Sequence, residues 1–307
     1  SVQLSGEVSG ETTNITHLSL RMSTFVHHIP TLENPVRLSD YLIGIFAAVP
    51  TRKGIKKAIK RNRITVNGKP GTTGLFVVGG EIVELLEEVS NIPVLELDLK
   101  VIYEDDYLAI IYKPPGLLVS GNKWMTVANA LPHNLQPSKA VDGLARPQPV
   151  HRLDYPTSGL LLIGKTASAL MTLGNLFKDR EITKTYYAIA IGEMPDSGEI
   201  SEDIAQQTAH CYFEVLNSTP SPRFNSLNLV KLTPTTGRRH QLRIQLASLG
   251  NPILGDREYG MEGLILKGKG LYLHAAALIF IHPLTGEEMK VEVGLPKKFL
   301  KLFPTPF

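Results

Sequence analysis

The spacing of apolar residues along this 307-residue chain changes several times, and each spacing predicts an element. From Leu95 to Lys100 the residues alternate strictly, with Leu95, Leu97 and Leu99 on one face and Glu96, Asp98 and Lys100 on the other. That is the period of a half-buried strand. It leads through Val101-Ile102-Tyr103, an acidic turn at Glu104-Asp105-Asp106 and the apolar Leu108–Tyr112 into Pro114-Pro115-Gly116, so strand, turn, strand and rigid corner are predicted. Leu160–Ile163 is an unbroken apolar run and reads as a buried strand. Ala167–Phe177 is helical in pattern, and Lys184–Ala190 begins another strand. Gly121–Pro149 is weakly patterned and predicts only a short helix near Thr126–Leu131 followed by a loop. Leu273-His274-Ala275 and His282–Gly286 close the chain with a hairpin. Many short strands and few helices make this an α+β fold built on a mixed, mainly antiparallel sheet.

The front of the chain has a different rhythm. Val36–Leu42 opens an amphipathic helix that Pro50 stops. From Thr51 to Arg63 come Arg52, Lys53, Lys56, Lys57, Lys60, Arg61 and Arg63 with no acidic residue between them. Lys53, Lys56, Lys57 and Lys60 fall on one helical face, and Ile55, Ala58 and Ile59 fall mostly on the other. Ile64–Lys69 is a strand ending in Asn67-Gly68, a strong hairpin signal, with Val77–Val83 as the return. A small helix-helix-hairpin module over residues 31–90 is therefore expected. A linker follows around Glu87–Pro93, and a large domain spans 95–307. Residues 1–30 are assigned to a mobile leader: Ser1–Arg21 lacks both the basic start and the apolar core of a secretory signal.

Composition narrows the chemistry. A single cysteine, Cys211, excludes a disulfide framework and the Cys-rich zinc sites, and reads as a small core residue. The histidines are scattered without metal spacing, so no metal is expected. No run of about 18 apolar residues suggests a membrane helix, and a cytoplasmic monomer is the expectation. The net charge of +3 hides an asymmetry: the seven basic residues of 51–63 leave the rest of the chain net acidic. Four lysines on one face repel one another unless a polyanion is near, so this face is a candidate RNA contact at Lys53, Lys56, Lys57 and Lys60. A solvated lysine face is the plainer alternative.

The densest chemistry lies at Val150-His151-Arg152-Leu153-Asp154-Tyr155-Pro156-Thr157-Ser158-Gly159, at the mouth of the Leu160–Ile163 strand. A carboxylate placed there must be paired or hydrogen-bonded, or it takes up a proton. Alone, Arg-x-Asp reads as a structural ion pair at a turn. The string HRLD followed by TSGLLL, however, resembles the catalytic signature of the RluA-type RNA pseudouridine synthases. Lys113-Pro114-Pro115-Gly116 resembles their first motif, although Leu118-Val119-Ser120 stands where the family often has a histidine. Lys113 is read equally as an RNA-backbone contact or as a structural corner, and Trp124 as a loop anchor ahead of a base-stacking ring. Lys184-Thr185-Tyr186-Tyr187-Ala188 resembles the second motif. Thr236-Gly237-Arg238-Arg239-His240-Gln241-Leu242-Arg243 resembles the third, with Arg239 and Arg243 expected on one helical face. The front module resembles the RNA-binding module of ribosomal protein S-four, with Asn62 and Gly80 departing from its usual Gly and Asp.

The resemblance implies a central cleft across the sheet and a cofactor-free isomerase that converts uridine in RNA to pseudouridine. It assigns catalysis to Asp154, a stacking or proton-moving ring to Tyr186, and to Arg243 a salt bridge holding Asp154 ionised. Arg152 would contact the flipped nucleotide. Asp154 acts either as nucleophile at the sugar or as base at a ribose hydrogen, and both roles stay open. Ribosomal RNA is the favoured substrate, with transfer RNA the alternative. The competing class is a catalytically inactive RNA-binding or ribosome-assembly protein of the same fold.

Overall fold

The computed structural model describes residues 24–46, 49–86, 93–266 and 268–305. The chain divides into two compact units, the smaller drawn from residues 1–46 and 51–88 and the larger from 47–50 and 89–307. Most of the expected leader, and the linker apart from Pro93, lie outside the described residues.

In the smaller unit, β1 (Thr24–His28) falls within the stretch expected as leader but pairs antiparallel with β6 (Ile82–Leu86). β6 also pairs with β3 (Ile64–Val66), which turns into β4 (Lys69–Pro70). Asn67 and Gly68 take φ of 49° and 74° in that turn, the left-handed pair that Asn-Gly favours. β2 (Val36–Arg37) pairs with β5 (Phe76–Val77). The first helix is shorter than its apolar pattern suggests: α1 covers only Leu38–Tyr41. α2 (Arg52–Lys60) starts at Thr51, whose side chain accepts from the Gly54 N–H. Its Ile55, Ala58 and Ile59 are buried while Lys53, Lys56, Lys57 and Lys60 are exposed. Asn62 adopts φ 54°, a conformation asparagine tolerates better than most side chains.

In the larger unit, β7 (Lys100–Glu104) and β8 (Leu108–Lys113) precede α3 (Val127–Asn134), β9 (Gly143–Pro149), β10 (Ser158–Thr166) and α4 (Ala167–Lys178). β11 (Thr183–Ile191), β12 (Ser197–Ile204), β13 (Gln207–Ser221) and β14 (Asn225–Pro234) follow. α5 (Gln241–Ser248), β15 (Leu273–Ile281), β16 (Glu288–Glu292) and α6 (Lys297–Leu300) complete it. The sheet runs β12-β13-β14-β11-β15-β10-β8-β7, with β9 paired to β10 and β16 to β15. Its pairings are antiparallel except for β10 with β15, making it the mixed, mainly antiparallel sheet expected.

The apolar run of β10 follows from burial on both faces. Leu160 and Leu162 pack with Leu108, Ile110 and α4, and Leu161 and Ile163 pack with Ala109, Ile111 and α3. Thr126 and Thr166 cap the two helices by accepting from Asn129 N–H and Ala169 N–H.

Three local expectations change. Leu95–Leu99 alternates but is not a strand: the Leu95 N–H donates to Asn129 O, and Asn134 bonds the backbone of Leu97 and Leu99. Its backbone groups are taken by a helix, so no partner strand forms, though Leu95 and Leu99 are still buried. The stretch expected as loop before Val150 contains β9, whose prolines are tolerated in a strand with a single partner. α5 begins at Gln241, so Arg239 lies in the turn before it and not on its face.

Candidate active site

The segment 150–157 is held at the start of β10 by buried groups. The His151 Nε2 accepts from the Leu162 N–H at 3.0 Å, and its ring stacks on Phe177 at 4.6 Å. Burial pushes this imidazole down to about 3, so it stays neutral and structural. Lys113 is fully buried, and its Nζ donates to the carbonyls of Pro114, Tyr155 and Thr157 at 2.8, 3.3 and 2.8 Å. It therefore ties the end of β8 to the turn that follows Asp154. Burial lowers the Lys113 amine to about 8, against the opposing pull of the Asp154 charge. The Thr157 N–H donates to Asp154 O and closes that turn.

Gly159 then allows β10 to reach β15. Its φ is 123°, and a Cβ there would sit 2.1 Å from Ala275 O. Only glycine permits this approach. The single parallel contact of the sheet, Ser158 with His274 and Gly159 with Ala275, depends on it.

Asp154 projects from this turn with its side chain 14% exposed. Arg243 comes from α5 and is buried. Its Nε and Nη2 donate to Asp256 at 2.7 and 2.8 Å, and Nη2 also donates to Glu258 at 3.1 Å. Nη1 faces Asp154 Oδ2 at 3.9 Å. The two-pronged grip of Arg243 is thus made with Asp256, and Asp154, its expected partner, receives the remaining edge of the guanidinium. Burial alone would lower the Arg243 pKa, but Asp256, Asp154 and Glu258 outweigh it and raise the value. Burial likewise pushes the Asp256 carboxyl up, yet Arg243 and the N–H groups of Glu258 and Tyr259 hold it below its ordinary range. On the other side of Asp154, His240 Nε2 lies 3.7 Å from Oδ1.

Asp154, His240 and Arg243 line a cleft of about 460 Å³ with Arg152, Tyr186, Lys184 and the rest of 234–243. Of the Tyr186-Tyr187 pair only Tyr186 lines it, as strand alternation requires. Burial raises the Tyr186 phenol first and the Asp154 charge adds to it, so the hydroxyl keeps its proton at neutral pH. Gln241 braces the 234–243 turn, accepting from Thr236 Oγ1 and the Arg238 N–H and donating to His210 O. Among the described residues, Asp154 is the one carboxylate on the lining, against Arg152, Lys178, Arg180, Lys184, Arg238, Arg239 and Arg243. A single carboxylate inside a cationic cleft suits an anionic substrate that reacts at its centre.

Four residues singled out in the sequence therefore meet here: Asp154, Arg152, Tyr186 and Arg243. Lys53, Lys56, Lys57 and Lys60 belong to α2 of the other unit. Sequence reasoning missed Asp256, Glu258 and His240 as neighbours of the site. The available signal was that a buried arginine must find a carboxylate, but spacing does not say which one.

A family model described as RNA pseudouridylate synthase matches residues 107–248, a span that contains Asp154, Tyr186, His240 and Arg243. The chain is 32% identical to ribosomal large subunit pseudouridine synthase C of Rickettsia conorii, covering 86% of this chain and 95% of that protein. It is also 32% identical to ribosomal large subunit pseudouridine synthase D of Yersinia pestis, over 87% of this chain and 89% of that one. Among solved structures, Human RNA Pseudouridylate Synthase Domain Containing 4 aligns at a TM-score of 0.53 and 25% identity, covering 66% of this chain and 90% of that chain. Human RNA Pseudouridylate Synthase Domain Containing 1 aligns at 0.54 and 23%, covering 68% and 86%, and shares the fold.

Proposed function

The chain belongs to the RluA-type RNA pseudouridine synthases, and from that premise we propose that it isomerises uridine in structured ribosomal RNA with Asp154 as the catalytic group. The carrying observation is Asp154 itself: a carboxylate in a cationic cleft, facing Arg243 and His240, with neither side-chain oxygen engaged in a hydrogen bond among the described residues. Arg243 and His240 face the two oxygens, while the lone pairs stay available.

In the reaction the bond from ribose C1′ to N1 breaks, the base turns, and C1′ bonds to C5. C5 loses its hydrogen to solvent and N1 gains one, so atoms and electrons balance without a cofactor. Asp154 either attacks the sugar or removes a ribose hydrogen after the bond breaks; a free carboxylate suits both. The base must leave its stack to reach the cleft, at a cost of a few kcal/mol. The exposed Arg152 at the rim meets the flipped nucleotide, and Tyr186 lies against the uracil with its proton retained.

Residues 31–90 act as a second RNA grip of the ribosomal protein S-four kind. What supports this is the α2 face, where Lys53, Lys56, Lys57 and Lys60 are exposed and have no ion-pair partner among the described residues. Ribosomal RNA as substrate is supported by the names of the relatives, both ribosomal large subunit enzymes.

The test is tritium release from RNA labelled at uracil C5, using RNA that lacks this enzyme's own modification. Wild-type protein should release tritium from ribosomal RNA. Asp154→Asn should abolish release while leaving RNA affinity within about twofold, because the group acts on the transition state and not on binding. Retained turnover in Asp154→Asn would exclude that residue, and release from transfer RNA alone would move the substrate to the other class.

A further inference from the structure

His240, like Arg180 on the same lining, has a positive φ. Its φ of 56° and ψ of 20° are left-handed, directly before α5. A β-carbon is strained in that conformation, where glycine is not. Such strain persists where surrounding structure imposes it, and it clusters at functional sites. The ring is 12% exposed and fixed on one edge: Nδ1 lies 2.9 Å from the Tyr259 hydroxyl and 3.4 Å from Glu258 Oε1. The Tyr259 hydroxyl and Glu258 hold the Nδ1 edge of the ring, and Nε2 is the atom that faces Asp154.

The two oxygens of Asp154 are therefore covered separately, Oδ1 by His240 Nε2 at 3.7 Å and Oδ2 by Arg243 Nη1 at 3.9 Å. Both distances exceed hydrogen-bond length, so the two groups act on the carboxylate electrostatically, one at each oxygen. Arg243 is in turn anchored by Asp256, and His240 by Tyr259 and Glu258. Glu258 touches both anchored residues, which makes one connected frame around the carboxylate.

We propose that His240 is a positioning residue for Asp154, fixing the Oδ1 edge as Arg243 fixes the Oδ2 edge, so that the carboxylate meets the ribose in one orientation. This rests on Asp154 being the reacting group. Orientation of that kind is worth orders of magnitude in rate when lost, with little effect on binding.

His240→Asn separates this role from a purely structural one. Asparagine accepts the left-handed backbone, but its shorter side chain withdraws the atom facing Asp154. In the tritium-release assay, kcat should fall at least about tenfold with KM for RNA and thermal midpoint nearly unchanged, because only the reacting geometry is lost. His240→Gln, whose amide nitrogen reaches the Nε2 position, should recover part of the loss. Unchanged kcat in His240→Asn overturns the proposal. Should Asn lower the thermal midpoint, Tyr259→Phe takes its place: it frees Nδ1 without touching the backbone, a fall in kcat supports the role, and an unchanged kcat overturns it. Asp154→Asn runs beside them. Turnover there defeats the Asp154 reading itself, whereas an inert Asp154→Asn with a fully active His240→Asn defeats only the role of His240.

Discussion

Asp256→Asn probes how the site is built, because the geometry separates the charge of Asp256 from its shape. Asparagine is nearly isosteric, and its Oδ1 can still accept from the Glu258 and Tyr259 N–H groups that bond Asp256 Oδ1 at 2.9 and 3.1 Å. What is lost is the second oxygen, which accepts from Arg243 Nε at 2.7 Å, together with the charge facing a buried guanidinium. Removing one partner of a buried ion pair costs about 3–5 kcal/mol. Arg243 keeps Glu258 at 3.1 Å and Asp154 at 3.9 Å, so part of its charge stays compensated. A loss of about 2–3 kcal/mol is expected on that basis. For a unit of roughly 200 residues this lowers the thermal midpoint by about 5–10 °C. The comparison is made by thermal melts of both proteins at neutral pH, repeated down to pH 3. Asp256 is held below its ordinary carboxyl range in the folded state, so its stabilising contribution is present above about pH 4 and is lost as the pH falls through the folded value. The gap between wild type and variant should therefore narrow in acid. A midpoint within 2 °C of wild type at neutral pH would refute the assignment of Asp256 as the anchor of Arg243, as would a gap that does not change with pH.

Gly159→Ala should cost about 4 kcal/mol or more and compromise folding, because the new Cβ meets Ala275 O at 2.1 Å. Gly286→Ala, at φ 72° with nothing within 4 Å, should cost only about 1–2 kcal/mol; equal melting of the two variants would refute the close-approach explanation. His151 and His274 are pushed down by burial to about 3 and about 4, so both are neutral when folded and charge on unfolding. Their contribution is intact above the ordinary value of about 6.5 and is lost as pH falls from there toward 4. A thermal midpoint that stays flat over that window would contradict it. Replacing Lys53, Lys56, Lys57 and Lys60 by Gln should weaken RNA binding and flatten its dependence on salt by about 0.7–0.9 log units per lost phosphate contact. An unchanged salt slope in fluorescence-anisotropy titrations would remove α2 from the RNA interface.

Some of this protein follows from local sequence alone. The Leu160–Ile163 run predicts a strand buried on both faces, because no alternation means no solvent face. Asn67-Gly68 predicts a tight turn through its own backbone preference, and α2 is legible because its lysines and its apolar residues fall on opposite faces. Tyr186 is separated from Tyr187 by strand periodicity. These are properties of residues a few positions apart.

What depends on partners distant in sequence was decided by tertiary structure. Leu95–Leu99 has a strand's alternation, but its backbone groups go to Asn129 and Asn134, so it stays outside the sheet. Gly143–Pro149 has a loop's composition, yet β10 supplies its hydrogen bonds. Arg243 must be paired because it is buried, but the choice of Asp256 for the fork over Asp154 comes from the turn that brings 256–259 beside α5. His240 reaches Asp154 because that same turn presents Tyr259 and Glu258 to its other nitrogen. Periodicity describes how a segment buries its own side chains. Which carboxylate a guanidinium meets depends on contacts across more than ten residues of chain, and only the folded molecule sets those distances.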